Sequence, residues 1–162
     1  MSTDQISKQA IFKASLDRVW RAISNSDEFG TWFGVKFDGP FVAGQALVGH
    51  IVPTKMDAEV AKLQEPHTGK PFNMTVEDLR PKTLFSFRWH PYAIEPDKDY
   101  SSEPTTLVSF NLEETPEGTK LTITETGFDQ IPLERRAKAF AANEGGWTHQ
   151  LVLVGKYLDL PE

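Results

Sequence analysis

The stretch GGWTHQLVLVGKYL, residues 145–158, decides how this chain is read. Together with the residues before it, Phe140, Glu144, Trp147, Leu151, Val154 and Leu158 fall at alternating steps of four and three, which places them on one face of an α-helix. The spacing predicts one long terminal helix through LERRAKAFAANEGGWTHQLVLVGKYLDL (133–160), with Pro132 as its first residue because its fixed φ suits that position. The paired glycines conflict with this, since each costs about 1 kcal/mol relative to Ala inside a helix. Three explanations compete: close approach to a neighbouring layer, a bend, or a break into two helices.

A long amphipathic helix needs an apolar surface to cover. ISKQAIFK (6–13) reads as a strand, and Ser15 then caps a helix with Leu16, Val19, Trp20 and Ile23 at helical spacing. Ser26 caps a second, short segment, DEFGTWF, weakened by Gly30. Strands follow at 35–39 and 45–52, then an excursion at 54–70 holding a short helix and a turn. The sheet resumes at 72–79 and 83–90, where Phe85, Phe87 and Trp89 share one face and Arg88 and His90 the solvated one. After a polar loop (91–104), residues 105–114 and 119–127 form a hairpin around TPEG, with Val108, Phe110 and Leu112 opposite Leu121 and Ile123. Strand, two short helices, a run of strands and a long helix make an α+β domain, with a curved antiparallel sheet and the whole of 1–162 as one unit.

The 162 residues are enough for one hydrophobic core without metal or disulfide staples. A net charge of −6 with no cluster of basic residues argues against a nucleic-acid surface. Cysteine is absent, which removes thiolate chemistry, and no run approaches the ~20 apolar residues of a membrane span, so the expected compartment is the cytoplasm. His50, His67, His90 and His149 show no metal-binding spacing, and neither a nucleotide-cradling glycine motif nor a nucleophile elbow occurs. No metal or cofactor is expected.

Four segments, IFKASLDRVWRAISNSDEFGTWF (11–33), EDLRPKTLFSFRW (77–89), LVSFNLEETPEGTKLTITETGF (107–128) and EGGWTHQLVLVGKYL (144–158), occur in an order that resembles the SRPBCC or START-like helix-grip superfamily. Within it, the chain specifically resembles the branch of homologues of the activator of heat-shock-protein ATPase. That resemblance implies about seven strands gripping the C-terminal helix, with an apolar cavity between them. Candidates for its walls are Phe85, Phe87, Trp89 and Phe110 on the sheet and Phe140, Trp147 and Leu151 on the helix, although most aromatic rings in a domain of this size are expected to fill the core and only a minority to line an opening. Trp32 and Phe33 would open a loop beside the entrance.

Two carboxylates are candidates for polar anchors. Glu125 continues the alternation of Leu121 and Ile123 and either faces inward near the open end of the sheet or is a rim carboxylate paired with Lys or Arg; Glu144 lies on the predicted inward stripe or reaches water at the helix flank. The leading expectation is a module that holds a small hydrophobic or amphipathic ligand, as a monomer or homodimer. The resemblance also implies a co-chaperone-like module with a chaperone partner, and a third reading is a cyclase or hydrolase using Glu125 and Glu144 as acid and base.

Overall fold

The computed structural model describes residues 5–91, 99–100 and 102–161. Four helices and seven strands follow in chain order: β1 (Gln5–Phe12), α1 (Leu16–Ser24), α2 (Ser26–Phe33), β2 (Val35–Phe37), β3 (Ala46–Ile51), α3 (Ala58–Gln64), β4 (Pro71–Arg80), β5 (Leu84–Trp89), β6 (Thr106–Thr115), β7 (Gly118–Thr126) and α4 (Leu133–Leu158). The strands form one antiparallel sheet in the order β1-β7-β6-β5-β4-β3-β2, and α4 lies against its inner face, the arrangement of the helix-grip fold.

The short helices form where their caps dictate. Ser15 accepts the Arg18 N–H at 3.1 Å and starts α1. The cap of α2 is Asn25 rather than the expected Ser26: its Oδ1 accepts the Asp27 and Glu28 N–H groups at 3.0 Å each, while its own N–H closes α1. Trp32 and Phe33 do not open a loop. They complete the last turn of α2 and are buried, because that turn drives its aromatic side into the core. Gly34, at φ 100°, then ends the helix.

Alternation builds the inner face row by row. Phe85 pairs with Phe110 and Phe110 with Ile123; in the next row Val76, Phe87, Val108, Glu125 and Ile6 succeed one another across five strands. Every member of that second row is buried, so a single carboxylate sits in an otherwise apolar line.

The helix α4 is one continuous rod of 26 residues, beginning one residue after Pro132, so the glycine pair does not divide it. Nor does it permit close approach: a Cβ on Gly145 or Gly146 would meet nothing within 4 Å. That role belongs to Gly155, where a Cβ would stand 3.2 Å from the Phe12 ring, and to Gly30 in α2, where it would stand 2.0 Å from the Val35 carbonyl oxygen. At the far end of α4, Arg18 pairs with Glu28 at 3.1 Å and the Tyr157 hydroxyl donates to the same carboxylate at 2.8 Å, tying α1, α2 and α4 together.

Two outcomes follow for stability. Gly145→Ala and Gly146→Ala each raise it by about 1 kcal/mol, the helix-propensity difference, whereas Gly30→Ala lowers it by about 1–3 kcal/mol through overpacking; urea unfolding measures both signs. Burial, reinforced by the Glu28 hydrogen bond, holds the Tyr157 phenol above its ordinary value of 10. A raised folded-state value gives stability that is complete below pH 10 and lost above it, so a melting curve followed upward from pH 10 falls more steeply for the native chain than for Tyr157→Phe.

Candidate functional site

The Glu125 side chain of β7 is fully buried and is met by donors from three other elements. From the neighbouring row, Thr106 of β6 donates to Oε2 at 2.5 Å and the Trp89 indole of β5 donates to the same oxygen at 2.8 Å. From above, the Trp147 indole of α4 donates to Oε1 at 2.8 Å, and the Asn143 amide reaches both oxygens at 2.9 and 3.0 Å. All these partners are neutral. An indole N–H can only donate, so the site is built for an acceptor. Hydrogen bonds to a charged group are worth about 1.5–3 kcal/mol each, which offsets the several kcal/mol lost when a carboxylate leaves water without a cation.

Aromatic rings surround this node. Trp89 and Trp147 lie 5.7 Å apart at 32°, Phe33 stands 6.1 Å from Trp147, and Phe110 meets it edge-on at 5.7 Å. Phe72 and Trp89, half-buried, form the outer edge at 5.5 Å.

The structure sorts the predicted site residues into three groups. Glu125, Trp89 and Trp147 come together directly. Trp32, Phe33, Phe85, Phe87 and Phe110 are buried among one another, with Phe85 and Phe87 at 5.6 Å and Phe87 and Phe110 at 6.3 Å. These rings act first as packed core, and the Trp32 indole is committed to the Ala22 carbonyl at 2.8 Å. Phe140 and Leu151 flank the node half-buried, Phe140 against Phe128 at 5.2 Å.

Glu144 is a correction. It is exposed, because the first half of α4 is rotated so that Ala139 and Asn143 face the sheet. The pair of inward carboxylates that acid-base chemistry would need is therefore not formed. Asn143 and Thr106 are the partners sequence reasoning missed, although each carried a signal: Thr106 alternates with Val108 and Phe110, and Asn143 stands one helical turn before Trp147.

A further feature lies on the same side of α4. The Gln150 Oε1 atom is buried and accepts no hydrogen bond, and Gln150 is one turn beyond Gly146, where no side chain fills the space. Among the described residues no group of three His, Asp or Glu side chains is placed to hold a metal ion, and no helix is long and apolar enough to cross a membrane.

Comparison with known proteins agrees with this architecture. The family model described as Activator of Hsp90 ATPase homolog 1-like protein matches residues 13–159, and the chain belongs to that family. A search of curated proteins found no match. Among solved structures, a protein from Arthrobacter aurescens superposes with a TM-score of 0.73 at 17% identity, covering 98% of this chain and 88% of that one. A protein from Chromobacterium violaceum gives 0.70 at 17% identity over 99% and 100%. The Aha1 dimer from Colwellia psychrerythraea gives 0.67 at 17% identity over 96% of each chain. At these identities the likeness is one of fold.

Turning one of the two acceptor oxygens into an amide NH2 sets that donor against the buried donors already aimed at it. Glu125→Gln is expected to cost about 3 kcal/mol and Trp147→Phe about 2 kcal/mol. The double variant costs less than the sum by at least about 0.5 kcal/mol, a coupling that a denaturation cycle on the four proteins reads directly.

Proposed function

We propose that this member of the Activator of Hsp90 ATPase homolog 1-like family binds a small amphipathic molecule between the sheet and α4, beside the Glu125 node. Family and fold support a ligand-binding or co-chaperone-like module. The observation that carries the ligand reading is the unpaired, buried Gln150 Oε1 next to the open helix surface at Gly146. Buried carbonyl oxygens in folded proteins are nearly always hydrogen-bonded, so an amide oxygen held in this way is suited to a donor brought by a ligand.

The remaining chemistry fits the same occupant. Gly146 leaves the helix surface without a side chain, and the half-buried Phe72, Trp89, Phe140 and Leu151 supply apolar surface. Glu125 does not touch the ligand in this reading. Its oxygens are already occupied, and it holds both indoles and Asn143 in place. The ligand is then an apolar body carrying a hydroxyl or amine, with affinity from area removed from water at about 25 cal/mol per Å² and orientation from Gln150.

A second reading, a co-chaperone-like module acting through its outer surface, is favoured by the family match over residues 13–159. Stimulation of a chaperone ATPase by the purified chain would support it.

Filling the helix gap separates ligand binding from folding. Gly146→Leu retains or raises the melting temperature while abolishing the thermal shift and fluorescence change produced by a panel of medium-chain alcohols, amines and an apolar dye. Gln150→Leu keeps the dye but loses the preference for alcohols and amines over the matched hydrocarbons. No response from the native chain, or an undiminished response in Gly146→Leu, overturns the reading.

A further inference from the structure

The Glu125 node carries a charge that its own partners leave uncompensated. Asn143, Trp147, Trp89 and Thr106 all donate to its oxygens, and a carboxyl group that only accepts is the ionised form. The donors are neutral, and among the described residues no Lys, Arg or His bonds to it. The cations of α4 are engaged elsewhere or turned to water: Arg135 pairs with Glu103 at 2.7 Å, Lys156 pairs with Asp57 at 2.6 Å, Arg136 donates to the Asp129 and Ile131 carbonyls, and Lys138 is exposed. Lys8, half-buried on β1, stands in the row of Ile123 rather than in that of Glu125. A buried anion held by dipoles alone acts on its water-excluded surroundings with far less screening than a surface charge.

The open side of the helix lies beside that anion. Gly155 faces β1, since a Cβ there would stand 3.2 Å from the Phe12 ring. Gly146 precedes it by nine residues, two and a half turns at about 3.6 residues each, and so faces the opposite way, toward β5 and β4 in the strand order. There the half-buried Trp89 and Phe72 meet at 5.5 Å, and Trp89 bonds Glu125 at 2.8 Å. The carboxylate is therefore one side chain away from the opening.

The groups around this opening share one sign. The Gln150 oxygen is an acceptor without a donor, the ring faces of Trp89 and Phe72 carry the negative side of the aromatic quadrupole, and Glu125 lies behind them. We propose that the molecule bound beside Gly146 is a cationic amphiphile, an ammonium group on an apolar body, and that Glu125 selects its charge without touching it. The ammonium donates to Gln150 Oε1 and lies against the Trp89 and Phe72 rings, with the apolar body along the bare helix surface. A neutral alcohol makes the same bond to Gln150 but gains nothing from the buried anion, and a fatty acid brings a second negative charge beside it. This ligand class rests on the ligand reading above and adds to it the sign of the charge.

Displacement of the apolar dye by octylammonium, octanol and octanoate tests the charge at about pH 7, where an alkylamine is protonated as a lysine is. Octylammonium is expected to bind at least about tenfold more tightly than octanol, and octanoate more weakly than either. The preference persists at about 0.5 M sodium chloride, whereas attraction by the chain's net charge of −6 would be screened away. Glu125→Gln brings the ammonium-to-alcohol ratio to within about threefold, and Gln150→Lys, which leaves the node intact, reverses the order in favour of octanoate. Where Glu125→Gln does not fold, Gln150→Lys alone decides. Octanol binding as tightly as octylammonium, a preference that salt abolishes, or an unchanged preference in either folded variant overturns the proposal and leaves the ligand reading in place. Displacement by none of the three compounds overturns both.

Discussion

A carboxylate in the middle of an apolar row can persist only where donors converge on it, and this requirement organises the interior. Glu125 stands between Ile6 and Val108 on the inner face, with Phe87 and Val76 continuing the line. Its donors come from β5, β6 and α4. Hydrophobic burial alone would leave α4 free to slide or rotate over the sheet, because apolar contact is non-directional. Directional bonds from two residues of one helix, Asn143 and Trp147, to a single fixed group remove that freedom. They set the rotation that turns Ala139 and Asn143 inward and Glu144 to water.

The glycines show how one residue type serves opposite needs. At Gly30 and Gly155 the missing Cβ lets another part of the chain approach, the Val35 carbonyl in one case and the Phe12 ring in the other. At Gly145 and Gly146 nothing approaches. The helix there accepts an unfavourable propensity without any packing return, and so the explanation lies outside the packed core. In the functional reading above, Gly146 clears the helix surface between Trp147 and Gln150. The long rod tolerates the pair because both ends are secured, by the Glu125 node near its middle and by the Arg18–Glu28–Tyr157 cluster at its last turn.

Much of the site was half legible. Strict alternation with Leu121 and Ile123 made an inward Glu125 one of two readings, the other being a rim carboxylate, while helical spacing turned Trp147 toward the sheet. The ambiguity of Glu144, inward stripe or water, has a specific origin. The stripe Phe140, Glu144, Trp147, Leu151, Val154, Leu158 and the stripe Asn143, Trp147, Gln150, Val154, Tyr157 obey the same steps of three and four and share Trp147 and Val154. Apolar content favours the first, and only hydrogen bonding to Glu125 selects the second for the N-terminal half. The expectation that most aromatic residues fill the core, with a minority lining an opening, left open which ones do so, and the rings of α2 and the sheet pack against one another.

Local periodicity by itself determined that this chain makes a sheet followed by one long amphipathic helix, since alternation and the 3.6-residue turn are properties of neighbouring residues. The tertiary structure alone decided which polar groups meet. Glu125 is 36 residues from Trp89, 19 from Thr106, 18 from Asn143 and 22 from Trp147. No pattern along the chain encodes those encounters. They arise because an acceptor excluded from water must be satisfied, and only the folded sheet and helix bring its donors within reach.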